Sequence, residues 1–195
     1  MDGHDSISDS ALVEAARRGD GDAAACLYHR HVERVHRICY RIVLDGSQVA
    51  DCVQEVWFKV FRNLGRFRCE ESFVTWLNRV AAHTAIDFYR KHKRRGRHVG
   101  IDQVPADALA EPPSDGKQLD EAMIQQRIHA ALEEVAVNQR SAFVLRYFEE
   151  MSPAEIAGVL GCREGTVRTH IQRCLVALRA KLAMSPKHAE VKSDE

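Results

Sequence analysis

Ser152-Pro-Ala-Glu-Ile-Ala-Gly-Val-Leu-Gly161, continued by Cys162-Arg-Glu-Gly-Thr-Val-Arg-Thr-His-Ile-Gln-Arg-Cys-Leu-Val-Ala-Leu-Arg-Ala-Lys-Leu182, decides the fold. Ser152 can cap the amide three residues on, Pro153 suits the first helical position, and Glu155 can bond back to the cap. Ile156, Ala157 and Leu160 then face inward, and Gly161 stands where a tight turn needs positive φ. A second helix carries Val167, Ile171, Cys174, Leu178 and Leu182 at spacings of four, three, four and four. Its other face shows Arg168, Thr169, Gln172 and Arg173, with His170 beside them. Two helices joined by a short glycine turn, the second polar and basic outward, fit a DNA major groove. Arg and Gln can pair with base edges, and Thr and Arg can hold phosphate. An ordinary helical hairpin with a solvated face leaves the agreement of cap, turn and face unexplained.

Upstream, helical periodicity begins near Ala11, where Leu12, Ala15 and Ala16 form a stripe that ends at Arg17-Arg18-Gly19-Asp20. The next helix runs from about Ala23 to Val43 on Leu27, Val32, Val35, Ile38, Cys39 and Ile42, and Asp45-Gly46 marks a turn. A third helix, from about Ser47 to Leu64, has Val49, Val53, Val56, Trp57, Val60 and Phe61 on its apolar face. Asp51, Gln54, Glu55, Phe58 and Arg62 line the opposite stripe. Phe58 in that polar stripe marks either a docking surface or a place covered by another helix.

Residues 65–72 read as a loop that leaves Arg66, Phe67 and Arg68 partly exposed. Helix resumes near Phe73 and runs to about Arg95, with Leu77, Val80, Ala81, Thr84 and Phe88 as its core stripe. Trp76, Arg79, His83, Asp87, Arg90 and Arg94 line up on the other side. The run Arg90-Lys91-His92-Lys93-Arg94-Arg95-Gly96-Arg97 is basic enough to bind phosphate by counterion release. Phe67, Phe73 and Trp76 lie just upstream, and unstacked bases need such π-faces. Phe73 reads as core, whereas Phe67 and Trp76 fit either role.

The whole is an all-α chain of two small helical domains, 11–95 and 119–183, joined by a flexible linker over 96–118. The linker holds Pro105, Pro112, Pro113 and Gly116 among scattered acids. Helicity returns over Leu119–Val135 and Gln139–Phe148, and residues 1–10 and 184–195 are expected to be disordered.

Twenty-eight basic and 28 acidic side chains cancel across the 195 residues, yet they are sorted into blocks. Residues 1–22 and 102–121 are acidic and 90–97 basic, so different surfaces meet different partners. The acids of the linker (Asp102, Asp107, Glu111, Asp115) are expected to shield the basic helix in the free chain. No apolar stretch approaches the roughly 20 residues of a membrane span. The acidic start is wrong for a secretory signal, so a cytoplasmic location without membrane insertion is expected. Six cysteines without a CxxC pair read as buried apolar groups. Cys26, His29 and His31 lie close in sequence, but His31 points away from the other two, so no metal and no cofactor is expected.

Asp51-Cys-Val-Gln54-Glu55-Val-Trp57, Phe67, Phe73-Val-Thr75-Trp76-Leu77, Asp87 and Arg90 resemble region 2 of bacterial extracytoplasmic-function sigma factors. Phe143 to Phe148, Ser152-Pro-Ala-Glu155-Ile156-Ala157 and Gly165-Thr166-Val167-Arg168 resemble their region 4. The resemblance runs in order from Ala11 to Leu182. It implies a subunit, not an enzyme, that binds core RNA polymerase and directs it to promoter DNA. Asp51, Gln54, Glu55, Phe58 and Arg62 would then meet the clamp helices of the polymerase β′ subunit, with further contact to the β subunit. Arg66, Phe67, Arg68, Trp76, Arg79, His83, Arg90, Lys91 and Arg94 would bind the melted minus-10 element. Arg168, Thr169, His170, Gln172 and Arg173 would read the minus-35 element. An anti-sigma factor is implied as a further partner.

Two positions depart from the family pattern: His83, where Asn is common, and Cys69, where Gly is common, both bearing on minus-10 preference. The short stretch after Leu182 argues against sub-families with an added C-terminal domain. A conventional repressor would bind duplex tightly alone and leave the Asp51–Arg62 stripe unexplained. An enzyme or thiol sensor would need clustered ligands or a nucleophile–base pair, and the sequence offers neither.

Overall fold

Each helix of the first half starts at a capping side chain. Ser8 opens α1 (Asp9–Arg17), Asp20 opens α2 (Gly21–Val43) and Asp45 opens α3 (Gly46–Asn63), each accepting from amides of the first turn. A 3₁₀ turn (Leu64–Arg66) follows, and Ser72 then accepts from the Thr75 amide at 3.1 Å to start α4 (Phe73–Gly96). In the second half α5 (128–133) precedes α6 (Val137–Tyr147), α7 (Pro153–Leu160) and α8 (Glu164–Ala183). The computed structural model describes residues 7–67, 72–96 and 128–183, excluding the side chains of 94–96 and 181–183. The expected linker lies outside the described residues apart from Gly96, which ends α4, and so do the linker acids and the tail.

The apolar stripes fold inward as their period requires. Leu27, Val35, Ile38, Cys39 and Ile42 on α2 are fully buried, facing Val49, Cys52, Val56 and Val60 of α3. Helix α4 is buried over a wider arc than one stripe: Asn78, Ala82, Ala85 and Ile86 join Leu77, Ala81, Thr84 and Phe88 in the interior. Its alanines let neighbours approach closely, and α2, α3, α6 and α7 all pack against it.

One boundary moves. Residues 7–10 were expected to be disordered, yet Ser8 caps α1 and Asp9 binds α2, accepting from Arg30 Nη1 at 2.6 Å and lying 2.8 Å from His31 Nε2. Two partners on α2 hold that carboxylate in place, and the apolar period starting at Ala11 could not register it.

The two halves share an interior. Ala142, Val144, Leu145, Met151, Ile156 and Val159 of the second half belong to the same buried cluster as the α2–α4 core. A second cluster gathers Ala131, Leu132, Val135, Cys174 and Leu178 around one residue from the first half, Leu44.

Candidate docking and nucleic-acid interfaces

On α3 the polar stripe is open as the period predicts. Asp51, Gln54, Phe58 and Arg62 are exposed, and Glu55, half-buried, pairs with Lys59 at 3.0 Å. Phe58 is 65 % exposed, which decides between the two readings of that residue in favour of an uncovered surface. The sequence placed Phe61 inside, but it is 38 % exposed, as is Tyr28 on α2 at 36 %. Trp57 lies between them, 5.0 Å from the Tyr28 ring and 5.5 Å from Phe61. A row of aromatic groups therefore borders the carboxylate–amide stripe. Exposed rings beside charged groups can serve as an anchor for a partner, because a partner's apolar side chains can bury them while its polar rim meets the charges.

Phe67 corrects the loop reading. The loop was expected to leave it partly exposed, with either a core or a DNA-facing role, but it is 4 % exposed and packs edge-on to Phe73 at 5.8 Å and against Trp76 at 5.4 Å. Its carbonyl accepts from Arg17 of α1, a long-range tie with no local signature. Phe67 pins the loop and supports Trp76, which is half-buried with one side against these rings. Arg66 is exposed; Arg68 and Cys69 lie outside the described residues. Along α4, His83, Asp87, Arg90 and Lys91 are exposed, Arg79 is half-buried, and the Arg94 side chain is not among those described. Arg90 donates to Asn138 Oδ1 at 3.0 Å and lies 3.7 Å from Asp87.

The helix-turn-helix forms as read. Ser152 and Glu155 close a capping box, Glu155 N to Ser152 Oγ at 3.3 Å and Ser152 N to Glu155 Oε2 at 2.8 Å. Those bonds from the Ser152 hydroxyl and amide, with help from the charge of Arg79, hold the Glu155 carboxyl below its ordinary range. Gly161 takes the left-handed conformation at φ 61° and ends α7. Val167 and Cys174 are fully buried and Leu178 nearly so, leaving Arg168, Thr169, Gln172 and Arg173 exposed. Thr169 donates its hydroxyl to the Gly165 carbonyl at 3.0 Å, which turns that hydroxyl to its own backbone and leaves the methyl group for apolar contact. Arg168 lies 3.5 Å from Glu164, an exposed pair that a phosphate or base edge can replace. Burial, and then the neighbouring Arg173, push the His170 imidazole down, which favours its neutral form.

Cys26, His29 and His31 do not converge. His31 turns in to Asp9 and Phe73, while His29 is exposed beside Tyr28. Among the described residues no three His, Cys, Asp or Glu side chains are grouped to hold a metal ion, and no helix is long and apolar enough to cross a membrane. The buried thiols are poor nucleophiles: contact with Cys52, then burial, drive Cys39 far up, and burial pushes Cys174 up to about 12. The sequence reading missed the groups that join the halves, Leu44, Arg140 and Glu149, because nothing in their local pattern marks them.

Residues 27–95 match the family described as Sigma-70 region 2, and residues 125–178 match Sigma-70, region 4. The chain is 31 % identical over 176 residues to the RNA polymerase sigma-H factor of Pseudomonas aeruginosa, covering 87 % of this chain and 91 % of that one. It is also 31 % identical over 182 residues to the ECF RNA polymerase sigma-E factor of Escherichia coli K12, covering 90 % and 95 %. In fold it is similar to the sigma factor RpoE solved in complex with the anti-sigma factor NepR from Bartonella quintana (TM-score 0.62, 21 % identity, 82 % of this chain and 96 % of that one). It is likewise similar to CnrH solved with the cytosolic domain of CnrY (TM-score 0.62, 23 % identity, 92 % and 100 %).

Proposed function

Because the chain belongs to the extracytoplasmic-function class of the sigma-70 family, we propose that its three exposed surfaces divide the work of promoter-specific initiation. The α3 stripe of Asp51, Gln54, Glu55, Phe58 and Arg62 docks on the β′ clamp helices of core RNA polymerase. Arg66, Trp76, Arg79, His83, Arg90 and Lys91, with Arg68 and Arg94, form the minus-10 surface, where Trp76 offers a ring and the cations hold phosphate. Phe67 serves that surface by positioning it. Arg168, Thr169, Gln172 and Arg173 enter the major groove at minus-35, with His170 beside them.

The observation that carries this reading is Phe58, 65 % exposed on a stripe that is open among the described residues. A repressor acting alone has no need of such a ridge. The chain does no chemistry of its own; it lends promoter sequence to an enzyme. Its place of work is the cytoplasm, and an anti-sigma factor holds it in reserve, as NepR is found on the Bartonella quintana factor.

The test is gel filtration with purified core polymerase followed by run-off transcription from a promoter library. Co-elution and sequence-dependent transcripts that core alone does not make are expected. Separate elution and no new transcript would overturn the reading.

A further inference from the structure

Two neighbouring positions near the start of α8 are poor choices for an exposed helix. Gly165, in the first turn, is exposed, and a Cβ built on it would meet no atom within 4 Å. Its backbone is not left-handed either; that conformation belongs to Gly161 in the preceding turn. Neither packing nor backbone geometry therefore calls for a glycine, which makes a weaker helix than alanine would. One turn on, Thr169 is β-branched and donates its hydroxyl to the Gly165 carbonyl at 3.0 Å, a bond that slightly destabilises the helix carrying it. Exposed residues that break local rules with no gain inside the fold are expected where an outside partner is met.

What the pair offers that partner is specific. The Thr169 hydroxyl is taken up by the helix itself, so its methyl group is the part left for contact. Beside it Gly165 shows bare backbone. The backbone of an α-helix has a radius of about 2.3 Å, and side chains extend it to about 5–6 Å, so the missing side chain leaves a notch about 3 Å deep. Arg168 and Gln172 stand on one side of this surface and Arg173 on the other, all exposed.

In the major groove, base edges present donors and acceptors, with one apolar exception, the 5-methyl group of thymine. A methyl group next to a notch, with hydrogen-bonding side chains around it, matches that exception. Gln172 and Arg173 lie three and four residues on, about 4.5–6 Å further along the axis. That shift reaches the adjoining one or two base pairs, which are about 3.4 Å apart.

We propose that Thr169 selects a thymine of the minus-35 element through contact between the two methyl groups, and that Gly165 is bare so that this base pair can come close enough. The inference rests on the function proposed above and adds to it the base that one side chain chooses.

The experiment measures binding of holoenzyme, assembled from core polymerase and the full chain, to a promoter recovered from the transcription library. Each thymine of the minus-35 element is replaced in turn by uracil, which lacks only the methyl group. The parent should lose about fourfold at one position, the worth of burying one such group. Thr169→Ser keeps the hydroxyl, and should bind the thymine promoter about as weakly as the parent binds the uracil one, with no discrimination between them. Thr169→Val keeps a methyl group and should discriminate as the parent does. Gly165→Ala should melt no lower than the parent, hold core polymerase equally well, and bind the promoter on the order of tenfold more weakly.

Equal affinity with uracil at every position, or discrimination retained by Thr169→Ser, would overturn the methyl reading. Parent-like promoter affinity in Gly165→Ala, or a lower melting temperature, would overturn the clearance at that position. Equal losses for Thr169→Ser and Gly165→Ala on promoter and scrambled duplexes, with a smaller salt slope, would identify a phosphate contact and overturn both. Absence of any core-dependent transcript would overturn the proposed function and this inference with it, whereas a flat uracil series leaves that function standing.

Discussion

Arg17, in the last turn of α1, donates its guanidinium to the carbonyl oxygen of Phe67, and through Nε to that of Leu64 at 3.0 Å. The first helix thus fastens the loop that precedes α4, and the ring of Phe67 is pressed onto Phe73 and Trp76 beneath it. Charged hydrogen bonds are worth about 1.5–3 kcal/mol, although the Leu64 carbonyl also accepts from the Phe67 amide at 3.2 Å. Arg17→Ala should lower stability toward the lower end of that range, since the side chain is 22 % exposed. Arg17→Lys should recover less than half, because one ammonium cannot span both carbonyls in the fixed geometry of a guanidinium. Urea unfolding with an unchanged m-value is the check, and equal stability of all three proteins would refute the tie.

Burial lowers the pKa of His31 below its ordinary 6.5, outweighing the attraction and hydrogen bond of Asp9, while Arg30 and Arg34 push the same way as burial. The folded state therefore binds fewer protons at this site than the unfolded state does. The stability it contributes is present above pH 6.5 and is lost as pH falls through the folded pKa. The melting temperature should hold between pH 8 and 7 and fall on the way to 5.5, more gently in His31→Gln. The slope shrinks rather than vanishes, because burial also lowers His129 and His170. An identical acid slope in His31→Gln would contradict this.

Phe58 is the exposed ring of the α3 stripe and its proposed anchor. Phe58→Ala should weaken binding to core polymerase by about 2 kcal/mol or more if it is a central contact. The paired change Gln54→Ala, Glu55→Ala should weaken it by a smaller amount. Stability should stay within about 0.5 kcal/mol of the parent, as for exposed positions generally. Affinity by fluorescence titration alongside denaturation separates the two effects; unchanged affinity in both variants counts against the docking stripe.

At the other end of the molecule, Arg173 is exposed on α8 beside Gln172. Arg173→Ala should cost roughly 1–3 kcal/mol at the preferred minus-35 sequence and relax the choice of one base pair there. An equal loss on every sequence, with a salt slope smaller by about one, identifies a phosphate contact instead.

What was legible in the sequence was local. The capping box of Ser152 and Glu155, the left-handed Gly161 and the Val167–Cys174–Leu178 stripe each depend on neighbours within a few turns, and each formed as read. The α3 stripe was legible for the same reason, since a 3.6-residue period separates Phe58 from Val56 and Val60 without further information. Phe67 was misread because its burial depends on Arg17, fifty positions away, and on rings that only the packed loop brings together. Leu44 and Arg140 were invisible for a related reason. An arginine carries no local sign of burial, and a leucine before Asp45-Gly46 reads as the end of a helix rather than as a plug. Contacts between distant segments are set by tertiary packing, and they are the contacts that hold the halves together.

On the proposed function, promoter recognition belongs to this chain only in company with core polymerase. The direct measurement is the affinity of the chain for promoter and scrambled duplexes, by fluorescence anisotropy, with and without core. The expected result is weak, salt-sensitive and sequence-indifferent binding by the free chain, and tight, promoter-specific binding once core is added. Tight, promoter-specific binding by the free chain, unchanged by core, would contradict it.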